Sequence, residues 1–448
     1  MNRRYKITLM AFCLFTIAVL PVYARKNVTP VVLSIKDRAA TVDRITKNRL
    51  DTLLPKFMRQ TGFDMWIITC NEDHLDPVFA TMVPYNAWFP LTQILVFYDS
   101  GEEIERLNIS ITNMQGLHEK VRPLTDPKTK QKETQWEMLA RIVKERDPKK
   151  IAINKSDDIW AAGALTVSLK KKLVKAIGPE YAARLHSGEK LAILWLETLL
   201  DEELHLYRSA VAISHALIAE TFSNAVIAPS VTTTDDLVWH YCQRVADLGL
   251  EQSFTPSFKI NARDPEVLKM YPLEDKIIRP GDFLHCDVGL VYLRYNTDTK
   301  ENAYVLKRGE TDVPEGLKKG LAEGNRLQDI FCGEFKEGLT GNQMLTNILN
   351  KAKAEGINTP RVYSHNCGLY LHQPGPLIGL PWEQVDTGPR GEVTLVPNSC
   401  FTVELSVGMP IPERDGKVII FALEQNIVFT EKGVSYLDGR QTKFHLIK

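Results

Sequence analysis

The chain has 448 residues, with 55 Lys and Arg balanced by 55 Asp and Glu, and 44% of it is hydrophobic. That length exceeds what one hydrophobic core usually holds, so two domains are expected. The neutral balance gives a nucleic-acid partner no electrostatic footing, and the ordinary composition excludes a disordered chain or a polytopic membrane protein.

In chain order, Arg3, Arg4 and Lys6 precede an apolar run from Ile7 to about Val22, and Val22-Tyr23-Ala24 reads as a cleavage site. Residues 1–24 are therefore expected to be a signal peptide, and the run is short for an uncleaved anchor. The mature protein is then exported, periplasmic or secreted, with no stable membrane insertion. Cys70, Cys242, Cys286, Cys332, Cys367 and Cys400 are widely spaced without a CxxC pair, so no disulfide framework is expected.

Residues 38–62 place apolar side chains at helical spacing, with Pro55 marking where such a helix would kink or split. Strand-like runs follow at 64–70, 92–98 and 104–109, then a helix over 134–146 and a strand at 150–153. This alternation predicts an α/β domain over residues 25–195. The texture then changes. A helical pattern covers 197–227, Pro229-Ser230 breaks it, and Thr232-Thr233-Thr234-Asp235 caps a second helix running to about Leu248. Further helices are expected at 314–335 and 340–355, with strands at 283–288, 292–298, 400–406, 418–421 and 425–430. Helices grouped against antiparallel strands predict an α+β domain over 196–448.

The chemistry lies in that second part. Asp287 and Asp298 are eleven residues apart, an odd spacing that puts them on opposite faces of one straight strand. A hairpin or bulge must intervene for both to face one site, with Gly289 a plausible pivot. Read singly, each is an ordinary turn or strand-end aspartate. His365 sits in SHNCG, with His372 seven residues on. Glu404 in FTVELSV and Glu424 in VIIFALEQNIVF interrupt apolar strands, where a carboxylate needs a cation or a hydrogen-bonded partner. Four carboxylates and an imidazole suit two divalent ions sharing bridging carboxylates, the arrangement that activates water for hydrolysis. His285, Cys286 and Cys367, close to these positions, read as packing residues. His205, His215 and His240 fall on expected helices without evident partners, and Trp88 lies in a loop within reach of a pocket.

These motifs resemble the pita-bread metallopeptidases, a group that includes methionine aminopeptidase, aminopeptidase P, prolidase and creatinase. Gly281-Asp282, Asp287, Gly289 and Asp298 are similar to their first motif, and His365, Gly368 and His372 to their histidine turn. Phe401, Thr402 and Glu404 match their FTxE motif, and Glu424 their last strand glutamate. The first domain resembles, more weakly, the creatinase-type N-terminal domain. The resemblance implies an α/β N-terminal domain followed by an α+β pita-bread catalytic domain. It further implies a peptidase of the Xaa-Pro aminopeptidase or prolidase kind, acting on small peptides. Two divalent ions would be held by Asp287, Asp298, His365, Glu404 and Glu424, Mn²⁺ before Co²⁺, Zn²⁺ or Fe²⁺. Glu404 would shuttle the proton, His372 would hold the substrate carbonyl, and the chain would form a homodimer. The substrate positions depart from the pattern: Met270 replaces a usual histidine, Arg361 another, Ala422 an arginine, and Gln373 an acidic residue. Met270, Arg361 and His372 are then the expected substrate-binding positions. A metal-binding pseudopeptidase, or a ligand-binding relative on the same scaffold, is the rival reading.

Overall fold

The computed structural model describes residues 31–357 and 359–448, so the expected signal peptide lies outside the described residues. Ser34 accepts a hydrogen bond from the Asp37 backbone N–H to start α1 (Ile35–Thr61), and Gly62 ends it in the left-handed conformation. The helix is continuous through Pro55, which lies off the buried stripe of Leu50, Leu53, Leu54 and Phe57. There, water can satisfy the carbonyl that proline leaves unpaired. A mixed sheet follows, made of β1 (Met65–Asn71), β2 (Thr92–Asp99), β3 (Ile104–Asn108), β4 (Glu119–Lys120), β5 (Ile151–Ile153) and β6 (Leu185–Ser187). Its order is β4-β3-β2-β1-β5-β6. The helices α2 (Pro77–Thr81), α3 (Gln135–Arg146), α4 (Val167–Ala182) and α5 (Glu189–Glu197) accompany it. The expected strands and α3 are present, whereas α4 and α5 had no expected counterpart. The predicted domain boundary at 195/196 falls inside α5.

His118, packed in this part, lies with Nε2 2.7 Å from the Met82 carbonyl oxygen. Burial holds its pKa down at about 4, with the Met82 bond pulling the other way. An unfolded histidine titrates near 6.5, so as pH falls from about 6.5 towards 4 the unfolded state takes up a proton that the native state refuses. The stability concerned is present above pH 6.5 and is lost across that window. His118→Gln, which keeps an N–H donor, should reduce the stability difference between pH 7 and pH 5 by about 2 kcal/mol, read from urea unfolding at both values.

The long helix expected over 197–227 runs as α6 (Asp201–Thr221). The Leu199 N–H donates to the Asn398 carbonyl and Thr198 bridges to Ser399, which separates α5 from α6. A capping box of Thr233 and Asp236 opens α7 (Thr234–Asp247). Beyond it come β7 (Glu251–Gln252), β8 (Ser257–Ala262), α8 (Pro265–Met270), β9 (Phe283–Val288), β10 (Leu290–Tyr292), β11 (Tyr295–Asn296) and β12 (Thr299–Val305). The run ends with α9 (Glu315–Gly333), α10 (Gly341–Ala354), β13 (Arg361–Tyr363), β14 (Ser399–Thr402), β15 (Glu404–Ile411), β16 (Lys417–Leu423), β17 (Asn426–Thr430), β18 (Gly433–Tyr436) and β19 (His445–Ile447).

Two departures from the expected strands shape the site. The single strand expected at 292–298 is a hairpin, β10–β11, turned at Leu293 and Arg294 with φ of 54° and 72°. The Arg294 guanidinium donates to the Val83 carbonyl at 3.0 Å, a tertiary contact that overrides local strand preference. The strand expected at 400–406 is two strands in different sheets. β14 pairs with β17, β15 pairs with β16, and the chain changes sheet at Val403, whose N–H donates to the Gln425 carbonyl. Glu404 follows one such crossing, and Glu424 lies at the other, between β16 and β17. Helix α9 is seated directly on this hairpin. A Cβ at Gly320 would run into the Phe421 ring, so only glycine permits the approach.

One apolar core runs through both parts, from Leu50, Leu54 and Trp66 to Tyr207, Val211, Leu237 and Tyr295. At the junction Arg49, fully buried, donates to Glu203 at 2.7 Å and to the carbonyls of Thr198 and Trp195. Among the described residues Cys70, Cys242, Cys286, Cys332, Cys367 and Cys400 are all free thiols. Among the described residues no helix is long and apolar enough to cross a membrane.

Candidate metal centre

Gly289 and the β10–β11 hairpin resolve the odd spacing of the two aspartates. A Cβ at Gly289 would strike the Thr297 carbonyl oxygen, so this glycine lets the chain double back. β12 then runs antiparallel to β9, with Lys300 directly opposite Asp287. On its other side Lys300 bridges Glu424 through both backbone hydrogen bonds, 3.1 and 3.4 Å. Residues facing each other across antiparallel strands share a face, and so do residues two apart on one strand. Asp287, Asp298, Lys300 and Glu424 therefore project to one side.

His365 comes from just beyond β13, held by its carbonyl, which accepts the Thr402 N–H at 3.1 Å. Glu404 opens β15 opposite Tyr363. His365 Nε2 lies 3.7 Å from Asp298 Oδ2, and the His372 ring packs edge-on against it at 4.4 Å. All five predicted metal positions, and His372, meet at one place.

The electrostatics of that place call for a cation. Burial pushes Asp298 up to about 8, with Lys300 pulling it down and Asp287 and Glu404 adding to the rise. Glu424, wholly buried, lies well above the usual carboxylate range for the same reasons, and Glu404 is raised as well. Burial, helped by His372, lowers His365 to about 3, so the ring is neutral. Its Nδ1 is 3.0 Å from the Asn366 carbonyl oxygen and donates to it, which leaves Nε2 as a free lone pair. Nε2 has no partner, nor do Asp287 Oδ1, Asp298 Oδ1 and Glu424 Oε1. One ligand atom each from Asp298, His365 and Glu424 lies within 4.8 Å of the others, as a bound ion requires. These three fit a divalent ion.

Lys300 is the residue that sequence reasoning missed. Its Nζ lies 3.2 Å from Asp287 Oδ2 and 3.0 Å from Glu404 Oε1, and it also pairs with Glu424 Oε2. Burial disfavours its charge, but Glu424, Glu404, Asp298 and Asp287 outweigh that and hold its pKa well above the ordinary value. The signal was available, since a cation two residues after Asp298 on a buried strand shares its face. Arg390 was also missed. It is partly buried with an unpartnered Nε, and close enough to help depress His372.

Other predicted residues fall elsewhere. Met270, expected at the substrate, ends α8 and is 68% exposed. Arg263 grips the carbonyls of Tyr271, Pro272, Asp275 and Ile277, folding that segment into a surface loop of its own. Arg361 is likewise exposed, donating to the Pro381 carbonyl at 3.0 Å, outside the ligand cluster. Ala422 contributes its carbonyl to Asn302 Nδ2. His285 is buried with Nδ1 3.1 Å from Asn302 Oδ1, and the Cys367 thiol donates to the Asn296 carbonyl, both as packing residues. His215 does have partners, Asp438 and Gln425 at 2.9 and 2.8 Å, brought in from distant sequence.

Fold and cluster together define a buried cation-binding centre on a pita-bread scaffold. Residues 205–431 match the profile of Peptidase_M24, metallopeptidase family M24, and the chain belongs to that family of peptide hydrolases. Among solved structures it is similar to an X-Pro aminopeptidase from Thermotoga maritima MSB8, with a TM-score of 0.60 at 17% identity, covering 87% of this chain and 99% of that one. An Xaa-Pro dipeptidase from Bacillus anthracis gives 0.57 at 16% identity, over 91% and 99%. A prolidase from Pyrococcus horikoshii OT3 gives 0.55 at 15%, over 88% and 98%. These likenesses extend through the N-terminal domain and concern the fold. No curated protein sequence matches the chain.

Proposed function

We propose that this protein is an exported, metal-dependent peptidase that removes or splits residues at the N-terminus of small peptides, in the Xaa-Pro aminopeptidase or prolidase manner. The observation that carries the reading is the set of unpartnered atoms on Asp298, His365 and Glu424, buried beside His372. A divalent ion held there would supply Lewis acidity and a water acidified towards neutral pH; the oxygen-rich donors favour Mn²⁺. Glu404, with its raised pKa, is suited to take the proton from that water and pass it to the leaving amine. His372 is exposed at the edge of the cluster, with its pKa lowered by desolvation and by Arg390, so it favours the neutral ring and can donate to the substrate carbonyl. Arg390 offers a cation for the carboxylate of a short peptide. Export rests on the basic, then apolar, start of the chain.

A second reading, a ligand-binding relative without turnover, is favoured by one observation: Lys300 already engages Glu404. Digestion of a peptide library with added Mn²⁺, Co²⁺ or Zn²⁺, followed by mass spectrometry, separates the two. The expected result is cleavage of short peptides near the N-terminus, with proline second in the preferred sequences. Intact peptides with every metal would establish the second reading.

A further inference from the structure

We propose that the Lys300 ammonium stands in one of the two cation positions of this centre, so that the chain takes up one divalent ion rather than two. The argument begins with the backbone. Lys300 is paired on one side with Asp287 and on the other with Glu424, so its side chain is aimed between those two carboxylates by the sheet itself. It does not reach in from a flexible loop. The side chain is 12% exposed, and its ammonium contacts Asp287, Glu404 and Glu424. An ammonium has three donors, and here three carboxylates receive them.

The donors divide cleanly around this contact. Asp287 Oδ2, Glu404 Oε1 and Glu424 Oε2 are taken by Lys300. Asp298, His365, the second oxygen of Glu424 and Asp287 Oδ1 remain, and among the described residues the first three form the group whose ligand atoms converge for an ion. A second divalent ion on Asp287, Glu404 and Glu424 would sit beside the ammonium on the same carboxylates, and like charges that close in a buried site repel strongly. Five ligands of the right type are thus divided between a metal and a lysine. The bound lysine also gives the apo protein a permanent counter-charge for its clustered carboxylates.

The inference rests on the metal centre of the proposed function and not on peptide specificity. The test is equilibrium dialysis of the full chain against Mn²⁺, with elemental analysis and low-temperature electron paramagnetic resonance, on wild type and Lys300→Ala. Wild type is expected to bind one Mn²⁺ per chain with the six-line spectrum of an isolated ion. Lys300→Ala should gain a second ion and an exchange-coupled spectrum. If the alanine variant folds poorly, Lys300→Met keeps the apolar stem and serves the same purpose, and the wild-type count stands without either. Two coupled ions in wild type overturn the inference, as does a variant that stays at one. No ion in either protein overturns the metal centre and the proposed function with it. A library digest without cleavage, beside a single bound ion, sinks only the peptidase reading.

Discussion

Glu404→Gln is expected to lower kcat on any peptide the protein cleaves by about 10³-fold, with KM changed little, because general acid–base catalysis contributes 10²–10⁴-fold. Glutamine keeps the shape of the side chain but cannot accept the proton. The fold should survive the change. Burial already holds the Glu404 pKa up, with Asp287 adding to the rise against Lys300, so the charge removed is one that the cluster strains to keep. Circular dichroism and thermal melting, run beside the kinetics, should show a native protein. Wild-type turnover in the variant would place the proton acceptor elsewhere, with Glu404 reduced to a partner of Lys300.

The second large effect concerns stability. Arg49→Ala should cost about 3–5 kcal/mol in denaturant unfolding, the range found when one partner of a buried ion pair is removed. Arg49 and Glu203 have side-chain exposures of 2% and 0%, so the carboxylate would keep the Tyr295 hydroxyl and the Leu200 N–H but lose the cation that balances its buried charge. The same guanidinium ties α1 to the carbonyls of Trp195 and Thr198, where the first part of the chain hands over to the second. It also stacks over the Trp195 ring, its centre 4.6 Å from the ring centroid. Adding Glu203→Gln to Arg49→Met should recover part of the loss, since the buried charge then disappears from both sides. A cost below about 1 kcal/mol for the single change would show the pair to be incidental.

Much of the centre was legible in the sequence because each ligand leaves a local trace. Glu404 and Glu424 interrupt apolar strands, and an acidic group in such a setting has to be paid for by a cation. The eleven-residue spacing of Asp287 and Asp298 required a reversal, and the hairpin at Leu293-Arg294 supplies it. What stayed hidden depends on pairing between strands far apart in sequence. The spacing puts Lys300 on the face of Asp298, but its contacts with Asp287 and Glu424 emerge only when β9 and the Glu424 crossing are set on either side of it. The break at Val403 was invisible for the same reason, because the partners of β14 and β15 lie in two different later strands. Met270 and Arg361 were placed by motif position alone, and their exposure follows from loop anchoring that no motif encodes.

The seating of α9 on β15 and β16 through Gly320 has a dynamic consequence. With no gap between the helix backbone and the Phe421 ring, the helix and the hairpin carrying Glu404 must shift together or not at all. That floor should exchange its amide protons slowly, as regions of dense packing do. Residues 364–387, between β13 and the short 3₁₀ turn at Gly388–Arg390, contain no helix or strand of their own, yet they carry both His365 and His372. The centre thus has two kinds of wall: the histidines sit on a segment held by isolated bridges to Phe401 and within itself, and the carboxylates lie at or beside paired strands.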